Sequence, residues 1–544
     1  MFIFSLCLVA LITSPYFTFA GEPSEDIPLT YKETIEVTGR IPSSEDNIQR
    51  AITVISREEI DQLPVSGLTD LLTYAAGVDI QRRGVGDIQA DISIRGASFE
   101  QTLVMIDGIP MNSSQTGHHS LDVPVSLQDI ERIEILNGHG PGSFGPAAYQ
   151  GAINFITRDP GKTGIVFTGE LGECSSASGG LSLTWSGNDL DLFLNGQRSI
   201  SGGYRDNTEH DTNRLMLKMI SRTGLGQLEL LGGYSDKEFG AYKFYSDTYP
   251  DQWESTGSRW GALSLVSEVE TLWGVIEVKP IASFHRHLDD FVLDRNRPDW
   301  YRNIHETDQF SGEIHTAIQM ETMQLATGLN WTRDIIRSDS LGHHNQTQMG
   351  FYLEGSLSNS RPVKLSGSLA LYHFDDYGCE LSPSLDFGFE MTRKLDWFVS
   401  VGRSYRLPTF TELHYISPAN VGNPDLDPEG VVSMETGLKW HYPGLHLSMA
   451  GFYRHGTDQI DWVRKNSDDP WQVMNISEVD VMGSEFKLLI LPEHYFSWVP
   501  LERVNLSYTY LDTDYSVTDL ESKYIAAYLE HQAQLQVSHP LFYG

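Results

Sequence analysis

The sequence predicts a mostly β chain: a transmembrane antiparallel β-barrel preceded by a smaller α/β domain. Beyond Pro160, apolar and polar residues alternate over most of the chain, as in strands that face lipid on one side and a lumen on the other. Between Ala51 and Pro160 helical and strand patterns are mixed instead. After the N-terminal segment no run of 18 apolar residues occurs, which excludes membrane-spanning helices but not spanning strands.

Composition excludes several classes of function. The 544 residues include 38 Lys+Arg and 73 Asp+Glu, a net charge of −35, so nucleic acid is not expected as a partner. Hydrophobic residues make up 40% and aromatic residues 11%, which is too much apolar side chain for a disordered acidic chain. No nucleophile elbow, P-loop or HExxH motif is present, so an enzyme is not predicted.

The N-terminal fifty residues divide into two segments. Met1–Ala20 has an apolar stretch and ends in small residues, which predicts a secretory signal peptide. Residues 21–50 are polar and contain several prolines, which predicts a flexible arm. Inside this arm, Glu33–Gly39 forms a short island rich in β-branched residues, which would be an ordinary strand if it were read alone.

Residues 51–160 predict a compact α/β domain. Ser56 is a helix cap followed by carboxylates, and a second helix begins at Gly67 with an apolar face. Four strands are predicted, and they are Ala51–Ile55, Leu103–Ile106, Ile130–Leu136 and Ala152–Thr157. Ile92–Ile94 adds a shorter alternating segment.

Residues 161–544 predict a succession of β-hairpins. Leu181, Leu183 and Trp185 alternate with polar residues, a Ser-Gly-Asn-Asp turn follows, and the alternation resumes at Leu190. Repetition of this pattern gives about 18 strands. Long polar segments such as 234–258 and 290–307 are expected to be loops at one end of the barrel. A soluble sandwich or propeller is the alternative, but no propeller repeat is found.

Several motifs in this order closely resemble TonB-dependent outer-membrane receptors. In the α/β domain they are Ile94-Arg95-Gly96, Val104–Pro110, Ile130–Leu136 and Gly145–Thr157, and in the barrel they are Arg403–Leu413 and Gly422–Glu429. The resemblance implies that residues 51–160 are a plug domain inside the lumen of a 22-stranded type of barrel. Overall size and plug sequence are most similar to the cobalamin-receptor-like branch, with ferric siderophore receptors next.

The resemblance also implies a function and its partners. Residues Glu33, Thr34, Ile35, Glu36, Val37 and Thr38 would be the TonB box, an extended segment that adds to a sheet edge of TonB. The protein would lie in the lipid of the outer membrane, bind a scarce ligand and import it with energy delivered through TonB. A passive porin is disfavoured by the folded N-terminal domain, whereas a non-transporting binding protein or adhesin remains the alternative. The ligand itself cannot be read from the sequence.

Two departures from this family stand out. The hairpin count is about four strands below the 22 of the family type, which predicts a barrel that is incomplete at its C-terminus. A closed 18-stranded barrel is the alternative. Asn137 occupies a position where many relatives carry a basic residue, so the plug's contact with the wall there is uncertain from sequence.

Candidate ligand-binding residues come from two predicted apical loops of the plug. They are Arg82, Arg83, Gly84, Asp87, Asn112, Ser113, Gln115, His118 and His119, and ordinary solvated turns are the alternative interpretation. No cofactor is expected, except that Asp289, Asp290 and Asp294 are weak candidates for calcium, which prefers oxygen ligands. The spacing of Cys174 and Cys379 does not decide whether they pair.

Overall fold

The computed structural model describes most of the chain after residue 34. The described residues are 35–37, 39–41, 49–140, 142–146, 148–245, 248–357, 362–476, 478–496, 498, 500–515, 520–524 and 528–540. The predicted signal peptide Met1–Ala20 and the box residues Glu33, Thr34 and Thr38 lie outside them. No helix in the described part is long and apolar enough to cross a membrane.

The plug comprises two short helices and seven strands. The helices are α1 (Arg57–Gln62) and α2 (Leu68–Leu72). The strands are β1 (Ile52–Ser56), β2 (Val78–Arg82), β3 (Ala90–Ile94), β4 (Leu103–Ile106), β5 (Ile109–Pro110), β6 (Ile130–Asn137) and β7 (Gly151–Thr157). Short 3-10 helices lie at Phe99–Gln101, Gly117–His119, Leu127–Asp129 and Gly142–Phe144.

A five-stranded sheet in the order β1-β6-β7-β4-β5 forms the centre of the plug, and β2 pairs with β3 beside it. Ser56 caps α1 through a reciprocal bond with Glu59, as its sequence predicts. Asp107 and Gly108 form the two-residue turn between β4 and β5, both with positive φ, which favours this Asp-Gly pair. Apolar residues of β3, β4, β6 and β7 are buried together and form the plug core.

The remaining strands run from residue 164 to residue 538. They are β8 (Gly164–Leu171), β9 (Ala177–Ser186), β10 (Leu190–Ser201), β11 (His210–Thr223), β12 (Gly226–Gly240), β13 (Trp253–Thr271), β14 (Gly274–Val292), β15 (Arg302–Gln319), β16 (Met323–Ser338), β17 (Gly342–Leu357), β18 (Val363–Phe374), β19 (Gly378–Thr392), β20 (Leu395–Arg406), β21 (Asn420–Val421), β22 (Glu429–Tyr442), β23 (Leu445–Thr457), β24 (Gln459–Arg464), β25 (Trp471–Ile476), β26 (Val479–Ile490), β27 (Arg503–Tyr515), β28 (Glu521–Ser522) and β29 (His531–Ser538). Helix α3 (Phe410–His414) and a 3-10 turn (Pro492–His494) lie between them.

Eighteen of these strands form an antiparallel barrel around the plug, whereas β21, β24, β25 and β28 form a small sheet in the loops. Side chains alternate as lipid-facing strands require. On β18, for example, Leu369 and Leu371 are exposed outside while Ala370 and Tyr372 are buried inside. Long connections such as 407–428 and 458–478 lie at one end, here called the long-loop end, and connections such as 224–225 and 272–273 lie at the short-turn end.

The number of strands agrees with the hairpin count rather than with the family type. The described strands form a closed ring of 18, which is the alternative given above to an incomplete 22-stranded barrel. The ring closes between β29 and β8, and β8 is exposed on both faces. Cys174 and Cys379 are free, exposed thiols in the described part of the chain, so they do not pair.

Two predicted loops are shorter than the sequence indicated. Strand β12 continues to Gly240 and β13 begins at Trp253, so the connection is 241–252 rather than 234–258. Likewise β14 reaches Val292 and β15 begins at Arg302. The polar residues at these strand ends still alternate between the two faces of the strand. They also remain paired with the neighbouring strand, β12 with β13 and β14 with β15.

Buried ion pairs hold the plug against the barrel wall. Arg95 bonds to Glu435 at 2.6 Å and to Glu485 at 2.8 Å, and Arg50 bonds to Asp386 at 2.8 Å. Asn137 donates to the Glu485 carboxylate at 3.1 and 3.2 Å. The neutral residue at position 137 therefore still bonds to the wall.

Candidate functional site

A cluster of imidazoles and carboxylates lies between the plug and the wall near the long-loop end. The plug contributes His119, at the end of a 3-10 turn, and Asp122 just after it. The wall contributes Glu254 from β13 and His287 and Asp289 from β14. Strand alternation places His287 and Asp289 on the same inward face, and all five side chains are buried.

His119 lies between the two acidic sides of this cluster. Its Nδ1 is 3.4 Å from Oδ2 of Asp122, and its Nε2 is 3.4 Å from Oδ2 of Asp289. His287 Nε2 lies 3.2 Å from the same Asp122 oxygen. Two groups have donor atoms within 4.8 Å of one another, and they are His119-Asp122-His287 and His119-Glu254-Asp289.

Charged neighbours set the protonation of the plug residues in this cluster. Burial alone would lower the pKa of His119, but the carboxylates of Asp122 and Asp289 raise it well above its ordinary value. Burial alone would raise the pKa of Asp122, but the ammonium of Lys237, 2.7 Å away, and the imidazole of His119 hold it well below its ordinary value. Asp122 therefore stays a carboxylate at neutral pH.

The first predicted apical loop, residues 82–87, is occupied by bonds within the protein. Asp87 is partly buried and accepts bonds from the backbone N–H groups of Leu68 and Thr69, each at 3.0 Å, at the start of α2. Arg83 pairs with Asp91 at 2.9 Å, and Arg82 pairs with Asp70. Gly84 packs against Phe244. Asp87 thus caps the start of α2.

The second predicted loop contributes to the cluster at one end. Asn112 holds its loop to β4, since its amide oxygen accepts from the backbone of Val104 and its amide nitrogen donates to the Thr102 carbonyl, each at 2.8 Å. Ser113 accepts from the backbone of Gln115, whose side chain donates to Asp289 at 2.8 Å. His118 bonds to Asp91 at 2.6 Å and stacks on Phe99. Of the nine candidates, His119 belongs to the cluster described above, and Gln115 bonds to its member Asp289.

The three calcium candidates do not come together, which corrects the expectation from sequence. Asp289 and Asp290 are consecutive in β14 and therefore point to opposite faces. Asp290 pairs with Arg302 at 2.6 Å, and Asp294 pairs with Arg297 at 2.8 Å. Of the two residues in β14, Asp289 is the buried one that faces the lumen.

The middle of the predicted TonB box is docked on the plug. Ile35 and Val37 are fully buried against the plug core. The backbone N–H groups of Glu36 and Val37 donate to one carboxylate oxygen of Glu134 at 2.8 and 2.9 Å. This part of the arm is therefore held in place here, rather than free as the arm's composition indicated.

Arg40 connects this segment to the barrel. Its guanidinium pairs with Glu313 of β15 and donates to the Gly108 carbonyl at 3.1 Å. Its backbone N–H donates to Glu354 of β17 at 2.8 Å. Box, plug and wall thus meet at one residue.

Two cavities lie along this side of the plug. One of about 160 Å³ lies between the second apical loop and the wall and extends to Arg40. The other, of about 780 Å³, lies at the short-turn end. Both are lined by Ile109 of the plug and Ile281 of β14, so these two side chains border both cavities. The cavity of about 160 Å³ is smaller than the pockets that hold drug-sized ligands.

Sequence reasoning did not single out Asp122, Glu254 or Lys237. The signal for part of the cluster is the spacing His285-x-His287-x-Asp289. If it is read with a period of two, this spacing puts three potential metal ligands on one face of a strand. No local sequence pattern connects these β14 residues to the plug side of the cluster. The bond between Asp122 and His287, for example, joins positions that are 165 residues apart.

Fold and site define a class of protein: an antiparallel barrel closed by a folded plug, with an N-terminal segment docked on the plug. Comparisons with known proteins agree with this class. Residues 44–152 match the family model described as TonB-dependent receptor plug domain, and residues 141–543 match the TonB dependent receptor-like β-barrel. The chain belongs to the TonB-dependent receptors, which is a family of outer-membrane receptors and transporters rather than of enzymes.

Individual relatives are distant. The chain is 24% identical over 553 residues to the vitamin B12 transporter BtuB of Photobacterium profundum, which covers 95% of this chain and 85% of that protein. It is 23% identical over 486 residues to the vitamin B12 transporter BtuB of Vibrio vulnificus, covering 84% and 75%. Among solved structures, the siderophore receptor PirA from Acinetobacter baumannii superposes with a TM-score of 0.67 at 18% identity, covering 85% of this chain and 80% of that one.

Proposed function

We propose that the protein is an outer-membrane importer that binds a cobalamin-like ligand at its long-loop end and admits it to the periplasm with energy supplied through TonB. The observation that carries this proposal is the docking of Ile35–Val37 on Glu134 of the plug. A partner that removes this segment from the plug also pulls on Arg40, which bonds to both plug and wall.

The state of the lumen supports a need for such work. The plug fills the barrel, and buried ion pairs such as Arg95–Glu485 attach it to the wall. A ligand of cobalamin size cannot pass through a cavity of about 160 Å³, so the plug has to rearrange. The face of the plug next to Ile109 and Ile281, which border both cavities, is the route we favour.

Cobalamin is favoured as the ligand because two vitamin B12 transporters match the chain over most of its length. A ferric siderophore is the second candidate, and the similarity to siderophore receptors supports it only at the level of fold. A surface binding protein that does not transport is the alternative from another class.

Labelled cobalamin and labelled ferric siderophores, offered in parallel to cells that produce the full chain, test this proposal. The same cells with Glu33–Thr38 deleted are the comparison. Cobalamin uptake that is lost on deletion, with surface binding kept, is the expected result. Surface binding without uptake in both strains would contradict import and support the binding-protein alternative.

A further inference from the structure

We infer that His119, Asp122 and His287 form a binding site for one divalent first-row transition-metal ion at the junction of plug and barrel wall. The inference concerns side chains of this chain alone, and it does not depend on the transport function proposed above. It differs from the calcium candidates of the sequence, of which only Asp289 lies near the site.

The donor set selects the class of metal. Two imidazole nitrogens and a carboxylate oxygen lie within 4.8 Å of one another in this group. Imidazole suits zinc, copper and nickel, whereas calcium is held by oxygen ligands alone. A zinc-type ion is therefore the appropriate probe.

The spacing of the donors suits coordination. Zinc bonds of about 2.0–2.1 Å in tetrahedral geometry put neighbouring donors about 3.3 Å apart. The His119 Nδ1 to Asp122 Oδ2 separation is 3.4 Å, and the His287 Nε2 to Asp122 Oδ2 separation is 3.2 Å. Two of the donor–donor separations that a tetrahedral zinc site needs are therefore already present.

An unsatisfied buried atom points to the same position. His119 is 4% exposed and His287 is 2% exposed. Nδ1 of His119, which faces Asp122, makes no hydrogen bond of good geometry within the described protein. Buried polar atoms in native proteins nearly always have a partner, and an ion is one way to supply it. A cation between the three donors satisfies this nitrogen.

Neighbouring residues support the ligands as they do in metal sites. His119 presents its other nitrogen, Nε2, to Asp289 at 3.4 Å, and Gln115 holds that carboxylate with a bond of 2.8 Å. A carboxylate behind a ligating histidine fixes the tautomer that leaves the opposite nitrogen free for the metal. Lys237 binds the second oxygen of Asp122 at 2.7 Å and leaves Oδ2 for the ion.

Zinc titration of the purified full chain in detergent, stripped of metal and competed against a chromogenic chelator, tests the site. We expect one equivalent to bind. His287→Asn should lower the affinity at least tenfold, and Asp289→Asn should lower it about 10- to 100-fold by loosening His119. His285→Asn is the matched control and should leave the affinity unchanged, because His285 lies one pleat away, bonds to Ser258 at 2.9 Å and belongs to neither group.

Equal affinity in wild type and His287→Asn would overturn the inference. A loss in Glu254→Gln with no loss in His287→Asn would also overturn it, since the ion would then lie in the group His119-Glu254-Asp289. Migration of unheated samples on a gel confirms that each variant keeps its folded barrel. Because the readout is metal affinity of purified protein, its failure leaves the import proposal untouched.

Discussion

The guanidinium of Arg95 on the plug lies 2.8 Å from the carboxylate of Glu485 on the barrel wall, and both side chains are 2% exposed. Arg95 also bonds to Glu435 at 2.6 Å and lies over the ring of Phe452. It adopts a positive φ of 49°, which is uncommon outside glycine. One residue of the Ile94-Arg95-Gly96 motif thus attaches the plug to three barrel strands.

Removing this attachment should loosen the plug. Arg95→Leu leaves the carboxylates of Glu435 and Glu485 without their buried partner, which typically costs about 3–5 kcal/mol. Hydrogen exchange of β3 and β7, followed by mass spectrometry under increasing guanidinium, should report plug opening at lower denaturant. The exposed pair Arg198–Asp211 supplies the control, since Arg198→Leu should cost less than about 1 kcal/mol. Equal exchange in the two variants would contradict the attachment.

Asp87 should act on stability rather than on ligand affinity. Its carboxylate accepts both backbone donors at the start of α2, so Asp87→Ala should destabilise the plug by about 1–2 kcal/mol. Ligand affinity, measured by surface binding to cells, should stay within about twofold of wild type once expression is matched. A large loss of affinity with unchanged plug stability would restore the ligand-contact interpretation.

Docking of the box segment should depend on pH through Glu134. Burial, together with the nearby Glu36 and against the opposing effect of Arg132, raises the pKa of Glu134 to about 7 in the docked state. A carboxyl whose pKa is raised by docking favours docking when it is protonated. Docking is therefore strongest below the ordinary glutamate pKa of about 4.3 and is weakened as pH rises through about 7.

A nitroxide on Thr38→Cys, with Cys174 and Cys379 replaced by serine, measures this effect. We expect the label to be immobile at pH 5.5. At pH 8.5 the fraction of mobile label should be several-fold larger. Glu134→Gln, which keeps an acceptor without a titrating charge, should stay docked over the whole range. Mobility that rises as pH falls would contradict the assignment.

The plug was predictable because its signals are local. The Ser56 cap, the face of α2 and the apolar run 103–106 each lie within a few residues of the element they specify. Barrel hairpins were predictable for the same reason, since alternation and short turns fix their register. Loop boundaries were wrong because polar residues near Gly240 and Val292 continue a strand that composition alone assigns to a loop.

The site was only partly predictable because it depends on contacts between distant segments. His119 was named as a candidate, but its partners Asp122, His287 and Asp289 come from plug and wall together. Asp87 was expected to face a ligand, yet it caps a helix that starts 19 residues earlier in the chain. Docking of Val37 depends on Glu134, 97 positions away, and no local pattern records that bond.

The central claim is that ligand entry requires a partner to bind the box segment. Uptake of labelled cobalamin relative to its surface binding, in cells producing Val37→Pro, tests this claim most directly. Proline removes the N–H that Glu134 accepts and cannot pair along a partner's sheet edge. Ser24→Pro, upstream of the box, is the control. The account predicts uptake near background with normal binding for Val37→Pro and wild-type uptake for Ser24→Pro, whereas wild-type uptake in both would contradict it.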